Sequence, residues 1–255
     1  AKFDEIRKHY PATDKLTYFD GGARSLVSVE SREALDKLID SRMYDGGDKP
    51  AMMALIERVR EKFAKLINAA PDEIAFTKNV SDGLNSISGS IPFEAGDNIV
   101  LTSDLEHPNN IYPWYNIRDR VGAKIIDVPS KDGGIDVDAM IAAINDRTKV
   151  VTCSTVTFSP GLRTDVSKLG RACREKGVFL LVDAVQSCGS LKTDVEELMV
   201  DALAVSTQKG LQGLYGMGFL YCRMEAANAL RPERLARFGV NLGEDTHEAA
   251  TGDQA

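Results

Sequence analysis

The sequence predicts an α/β fold built on one seven-stranded, mostly parallel sheet with helices on both faces. Two observations carry this. Short runs rich in Val, Ile, Leu and Phe recur along the 255 residues, continuous rather than alternating with polar residues, as expected of strands buried on both faces. Most neighbouring runs are separated by stretches with helical spacing, the alternation that builds βαβ units. A third observation sets an exception. Only QKGLQGLYGM separates the last two runs, and a parallel crossover needs about a dozen residues or more, so this pair is expected to be antiparallel.

Taken in order, AKFDEIRKHY opens the chain as a charged helix. Residues 42–53, RMYDGGDKPAMM, mix glycine, methionine and aromatic character without a clear period, and are expected to form a loop that packs against something other than its own core. A helix over 51–68 carries Leu55, Val59, Phe63 and Leu66 on one stripe. The first strand is IAFT (74–77), followed by a helix over 82–90 and the second strand NIVLTS (98–103). A helix over 109–121, with Trp114 expected against the sheet, leads to AKIIDVP (123–129). Helix 136–145, strand KVVTCSTV (149–156), helix 165–176 and strand VFLLVDA (178–184) continue the alternation. Val195, Leu198 and Met199 are expected in the core before the strands ALAVST (202–207) and GFLYCR (218–223). The ending FGVNLGEDTHEAATGDQA carries no strong pattern, and no internal repeat or low-complexity tract interrupts the chain.

Composition narrows the function. A hydrophobic content of 43% supplies a substantial core, while a net charge of −7 without basic runs argues against nucleic acid or an anionic membrane surface as partner. No stretch approaches the length of a membrane span, and the opening is not a signal peptide, so a cytoplasmic protein is expected. The cysteines at 153, 173, 188 and 222 form no CxxC pair, and His9, His107 and His247 are too scattered for a metal cluster. Cys188, close to Asp183, is read as a small buried thiol rather than a nucleophile.

Ligands of open α/β sheets collect at the carboxyl ends of the strands. There the fifth strand ends in Asp183, with Gln186 following, and the sixth ends in Ser206, Thr207, Gln208 and Lys209. The first runs into TKNVSDG, where Ser81 is expected to cap a helix whose free N–H groups bind an anion. A lysine at the end of a buried strand is costly as an ammonium, because desolvation disfavours its charge. A lysine, a carboxylate and a phosphate-type site in one crevice are what pyridoxal phosphate requires. A nucleotide-binding oxidoreductase fits poorly, since no GxGxxG follows the first strand.

The segments YFDGGA, FTKNVSDGLN, LEHPNNIYPW, TVTFSPGLRTD, LLVDAVQSCGSLKTDV and AVSTQKGLQGLYGMGFLY resemble, in this order and over nearly the whole chain, the class V aminotransferases. That family of fold type I pyridoxal phosphate enzymes includes cysteine desulfurases, glyoxylate aminotransferases and isopenicillin N epimerase relatives. The resemblance implies that Lys209 forms the imine with the cofactor and moves the substrate's α-proton. It implies that Asp183 pairs with the pyridinium nitrogen, that Gln186 donates to the ring's 3-hydroxyl oxygen, and that His107 stacks on the ring. Ser206, Gln208, Val80 and Ser81 would hold the phosphate. Thr157 stands where much of the family has Asn or Gln, and Gly21, Gly22 and Ala23 are placed to line the substrate site. Gln208 occupies the position of a desulfurase histidine, whereas EHPNN leans toward the desulfurase and epimerase branch.

The implied domain plan is an arm over 1–24, a cofactor-binding large domain over 25–230, and the start of an incomplete small C-terminal domain over 231–255, which in the family supplies the arginine for the substrate carboxylate. The implied activity is amino-group transfer from an amino acid to a keto acid; the alternatives are a cysteine desulfurase or carbon–sulfur lyase, or an epimerase. A homodimer is the expected assembly, and a non-catalytic relative is the reading outside enzymes.

Overall fold

A computed structural model describes residues 2–232 and 235 of the chain. The N-terminal part is helical. α1 (Lys2–Lys8) is the expected charged helix, and α2 (Val29–Tyr44) and α3 (Lys49–Ile67) are joined by a four-residue turn. Residues 42–53 are therefore not a loop. Their glycines are the turn itself, with Gly46 and Gly47 at φ 75° and 82°, values open to glycine. Asp48 then caps α3, accepting the N–H of Ala51 at 2.9 Å, with a proline in the first helical turn. Helix α2 has no buried residue, which is why its sequence shows no stripe; Leu38, Ile39 and Met43 stay exposed.

The core begins at α3. Its buried face follows Val59, Phe63 and Ile67, an i, i+4 row, and turns Leu55 and Leu66 to the outside, so the expected stripe is half right. Phe63 stacks flat on Phe219 with centroids 4.0 Å apart.

The chain then alternates through β1 (Ile74–Thr77), α4 (Val80–Ser90), β2 (Asn98–Leu101), α5 (Tyr112–Val121), β3 (Lys124–Asp127), α6 (Val137–Ala143), β4 (Thr148–Ser154), α7 (Val166–Lys176) and β5 (Phe179–Asp183). It continues through α8 (Val195–Leu198), β6 (Ala202–Ser206), β7 (Gly218–Cys222) and α9 (Met224–Ala227). The sheet order is β1-β7-β6-β5-β4-β2-β3. Pairs from β6 to β3 are parallel, and β7 lies antiparallel between β6 and β1. The short connection before β7 thus gives the expected reversal. Because β7 opposes both neighbours, β1 runs in the same sense as β6 and ends at the same edge.

Side chains of successive strand residues leave on opposite faces, and the core divides accordingly. Leu180 and Val182 of β5 join α3, α6 and α7 on one face, while Leu181 joins α4 and α5 on the other. Trp114 is fully buried against Ile99 and Leu101, as expected. Val195 is also buried, with Leu198 packed against the same cluster. Among the described residues, no helix is long and apolar enough to cross a membrane.

The packing of α7 yields a test. A Cβ at Gly170 would stand 2.2 Å from the Leu198 carbonyl oxygen and 3.0 Å from Met199 Cβ. In an exposed helix Gly→Ala stabilises by roughly 1 kcal/mol. At Gly170 the sign is expected to reverse, with Gly170→Ala costing about 1–3 kcal/mol, the usual cost of overpacking. A urea midpoint at or above that of the parent protein would show that the two segments separate easily.

Candidate active site

The strand ends β4, β5 and β6 and the start of α4 surround a cavity of about 410 Å³, lined among others by Lys209, Asp183, His107, Gln186, Ser206 and Gln208. Each is placed by its backbone. β5 carries Asp183 to the sheet edge, where the carboxylate accepts the Val185 N–H at 2.9 Å and its carbonyl accepts the Thr155 N–H at 3.0 Å. Burial pushes the Asp183 carboxyl up to about 6, against the pull of that N–H and of the Lys209 charge. Burial lowers Lys209 in turn, while Asp183 opposes the shift.

Lys209 sits in a tightly fastened loop. Thr207 donates to the Leu214 carbonyl at 2.7 Å, and the Gly213 N–H donates back to the Thr207 carbonyl at the same distance. On the other side, a Cβ at Gly210 would stand 2.3 Å from the Cys188 carbonyl oxygen, so the loop carrying Lys209 lies backbone against backbone on the segment after Gln186. The N-terminal arm crosses the same loop: the Ser25 N–H and hydroxyl both donate to the Gln208 carbonyl, at 2.7 and 3.1 Å. That contact brings Ala23 to the cavity and sets Gly22 beside Gln186.

The anion side is formed by the first turn of α4. Its cap is Asn79 rather than Ser81: the Asn79 side chain accepts the Asp82 N–H at 2.9 Å, and the helix starts at Val80. The shift by two residues follows from the extended backbone of Asn79, which aims its side chain along the turn. Val80 and Ser81 therefore lie inside the first turn, at the cavity, where the positive end of the helix favours negative charge. Ser206 is tied to this turn by accepting the Val80 N–H at 2.7 Å.

His107 lines the cavity, its Nδ1 accepting the Asn109 N–H at 3.2 Å and its ring at an edge-type angle to Phe158, centroids 5.2 Å apart. Burial, then the neighbouring Lys209 charge, lowers its pKa, so the neutral ring with the proton on Nε2 is favoured. Thr157 does not line the cavity. Its hydroxyl turns inward to accept the N–H groups of Gly161 and Leu162, closing the excursion after β4. Cys188 is buried with its thiol pushed up to about 12 by desolvation, which removes it as a nucleophile. Among the described residues no cluster suits a metal ion.

Lining residues absent from the expected set are Asn79, Asn109, Ser154, Val156, Phe158, Val185 and Tyr215. Ser154 and Asn109 carried a usable signal, one closing a strand and the other following His107. Tyr215, in a glycine-rich loop and 68% exposed, carried none. The site fits pyridoxal phosphate on its own chemistry. A half-buried lysine with lowered pKa, a buried carboxylate facing the same space and a helix N-terminus are the three contacts it needs.

Known proteins carry the same pattern. The family model for aminotransferase class-V matches residues 43–242. A probable cysteine desulfurase of Methanothermobacter thermautotrophicus is 31% identical over 235 residues, covering 90% of this chain and 58% of that protein. An uncharacterised aminotransferase of Bacillus subtilis is 32% identical over 242 residues, covering 95% and 64%. The apo structure of a cysteine desulfurase from Thermococcus onnurineus superposes with a TM-score of 0.84 at 31% identity, covering 98% of this chain and 62% of that one. The chain thus spans about six tenths of the length of these relatives. The small domain expected over 231–255 lies almost wholly outside the described residues. By its sequence and by the sheet that carries this site, the chain belongs to the class V aminotransferase family, whose cofactor is pyridoxal phosphate.

Proposed function

We propose that the protein transforms an amino acid at its α-carbon with pyridoxal phosphate held on Lys209, most simply as an aminotransferase that passes the amino group to a keto acid. The observation carrying this reading is the convergence of Lys209, Asp183 and His107 on one cavity with the first turn of α4. When bound, the cofactor supplies an electron sink that lets the substrate Cα–H bond break. Lys209 anchors it and, once displaced by the incoming amine, takes the α-proton at Nζ; its lowered pKa favours the neutral form this requires. Asp183 would hold positive charge at the ring nitrogen, and its near-complete burial would make that pairing strong. Gln186 would donate to the ring oxygen and His107 would cover the ring, while the Ser81 N–H, the Ser206 hydroxyl and Gln208 would hold the phosphate, with the Val80 N–H fixing Ser206 in place.

Removal of sulfur from cysteine is the second reading, favoured by the relatives named as probable cysteine desulfurases. All the residues above serve both reactions. The assembly we propose is a C₂ homodimer, supported by the exposed Leu38, Ile39 and Met43 of α2.

One experiment addresses all three points. Amino acids are supplied in turn to the longest soluble form of the protein, and keto acid, alanine and sulfide are measured while light scattering reports mass. Keto acid formed only with an acceptor present supports transfer, whereas alanine with sulfide from cysteine supports desulfuration. A colourless protein that turns over nothing refutes both, and an active monomer refutes the dimer.

A further inference from the structure

One buried carboxylate takes no part in the function above. Glu106 is 3% exposed, directly precedes His107, and lies behind the cavity wall. One of its oxygens, Oε1, accepts the Ser154 N–H at 2.6 Å and the Ser154 hydroxyl at 3.0 Å. The other, Oε2, accepts the Asn110 side-chain N–H at 2.9 Å. Asn110 passes the connection on, its Oδ1 accepting the Thr152 hydroxyl at 2.9 Å. The two oxygens therefore span a gap between the helical turn Pro108–Asn110, which His107 caps, and the last residue of β4. Ser154 is the register partner of Asp183 on β5 and itself lines the cavity.

We infer that Glu106 is a positioning residue that fixes the His107 turn to the Asp183 strand end, so that His107 covers the cofactor ring. The inference rests on the reading that His107 faces the cofactor. It also assigns the effect to the reach of the side chain rather than to its charge. Burial raises the Glu106 carboxyl to about 7, against the Asn110 hydrogen bond, and Asp183 adds repulsion, so a neutral side chain is close to the state present near neutrality. A glutamine keeps the reach. Its carbonyl can still accept from Ser154, and its NH₂ can be met if the Asn110 amide turns over, because the Thr152 hydroxyl can accept as well as donate. An aspartate keeps the charge but is one methylene shorter, about 1.5 Å, enough to lose one of the two attachments.

The test compares Glu106→Gln, Glu106→Asp and Glu106→Ala, each as cofactor-loaded protein. Three readouts are the absorbance and induced circular dichroism of bound pyridoxal phosphate, its rate of release into excess scavenger, and the melting temperature. Glu106→Gln is expected to match the parent. Glu106→Asp and Glu106→Ala are expected to weaken the dichroism and release the cofactor roughly tenfold faster, the scale set by losing one or two ordinary hydrogen bonds. In a His107→Ala background the Glu106 variants should add little, because the residue acts through His107. The inference is overturned if Glu106→Asp matches the parent while Glu106→Gln does not, or if melting falls in all three variants with dichroism and release unchanged. Full additivity with His107→Ala would overturn it too. A colourless parent protein would instead refute the cofactor reading itself. Should Glu106→Ala fail to fold, the Gln and Asp pair still decides the matter.

Discussion

Lys209→Ala is expected to abolish covalent cofactor attachment and to lower turnover about a thousandfold, within the range typical of removing a positioned general base. The expectation follows from where the side chain sits. Its loop is bound to Leu214 on one side, to the Cys188 segment on another and to Ser25 on a third, so no second lysine can take its place by local movement. None of the other lysines is among the residues that line the cavity. Lys209→Arg keeps a positive charge yet cannot form the imine, so it should behave like the alanine variant. Borohydride reduction of the yellow protein followed by peptide mapping checks the assignment. The pyridoxyl group is expected on the peptide carrying Lys209, and its appearance on any other lysine would remove Lys209 from the proposed role.

Asp183→Asn is the second large effect. A neutral amide cannot hold charge on the ring nitrogen, and preorganised electrostatic contacts of this kind are worth ~3 kcal/mol or more at the transition state, about a hundredfold or greater in rate. Cofactor should still bind in part, since the first turn of α4 and Lys209 are untouched. Near-normal turnover in Asp183→Asn would take the acid out of the mechanism. The same substitution has a signature without cofactor. The folded Asp183 carboxyl sits at about 6, above the ordinary value near 4 for aspartate. A raised folded pKa means the folded state binds the proton more tightly than the unfolded chain does. The stability it adds is complete below about pH 4 and is lost as pH rises through about 6. Melts of the cofactor-free parent should therefore decline over that interval, and Asp183→Asn should flatten the decline. Glu106, raised to about 7, acts in the same direction and leaves a residual slope.

The strands and the placing of Asp183, Ser206 and Lys209 were legible because both depend on local signals: continuous apolar runs fix a strand, and the residue that follows is carried to the sheet edge. The reversal of β7 was legible for a similar reason, being a matter of connection length. Contacts between distant segments left no such trace. Glu106 and Ser154 lie in separate strands' approaches, and nothing near either one announces that a carboxylate spans the gap between them. The cap of α4 was misplaced because Asn79 and Ser81 are both good capping residues, and the choice rests on an extended backbone that the residue types do not specify. Helix α2 was missed because amphipathic spacing appears only in a helix that buries a face, and α2 buries none among the described residues. The inward turn of Thr157 was not legible because the excursion after β4 folds back on itself and uses its hydroxyl as an internal acceptor.

The place of β7 between β6 and β1 has a consequence for synthesis on the ribosome. Roughly 140 residues separate Thr77 from Gly218, which at about 5–20 residues per second is a delay of roughly 7–30 s. Throughout it, β1 has emerged without its only partner, and Phe63 has no Phe219 to stack on. The edge of β6 is bare for the last part of the same interval. The nascent chain therefore carries two open strand edges, a known route to aggregation, until its seventh strand arrives. The Val80–Ser206 bond that completes the anion side joins segments made near the start and the end of the same interval, so affinity for the cofactor should appear only late in synthesis. Newly made chains released before β7 would be expected to depend on chaperones and to remain colourless, which makes the onset of yellow colour a timer for the closing of the sheet.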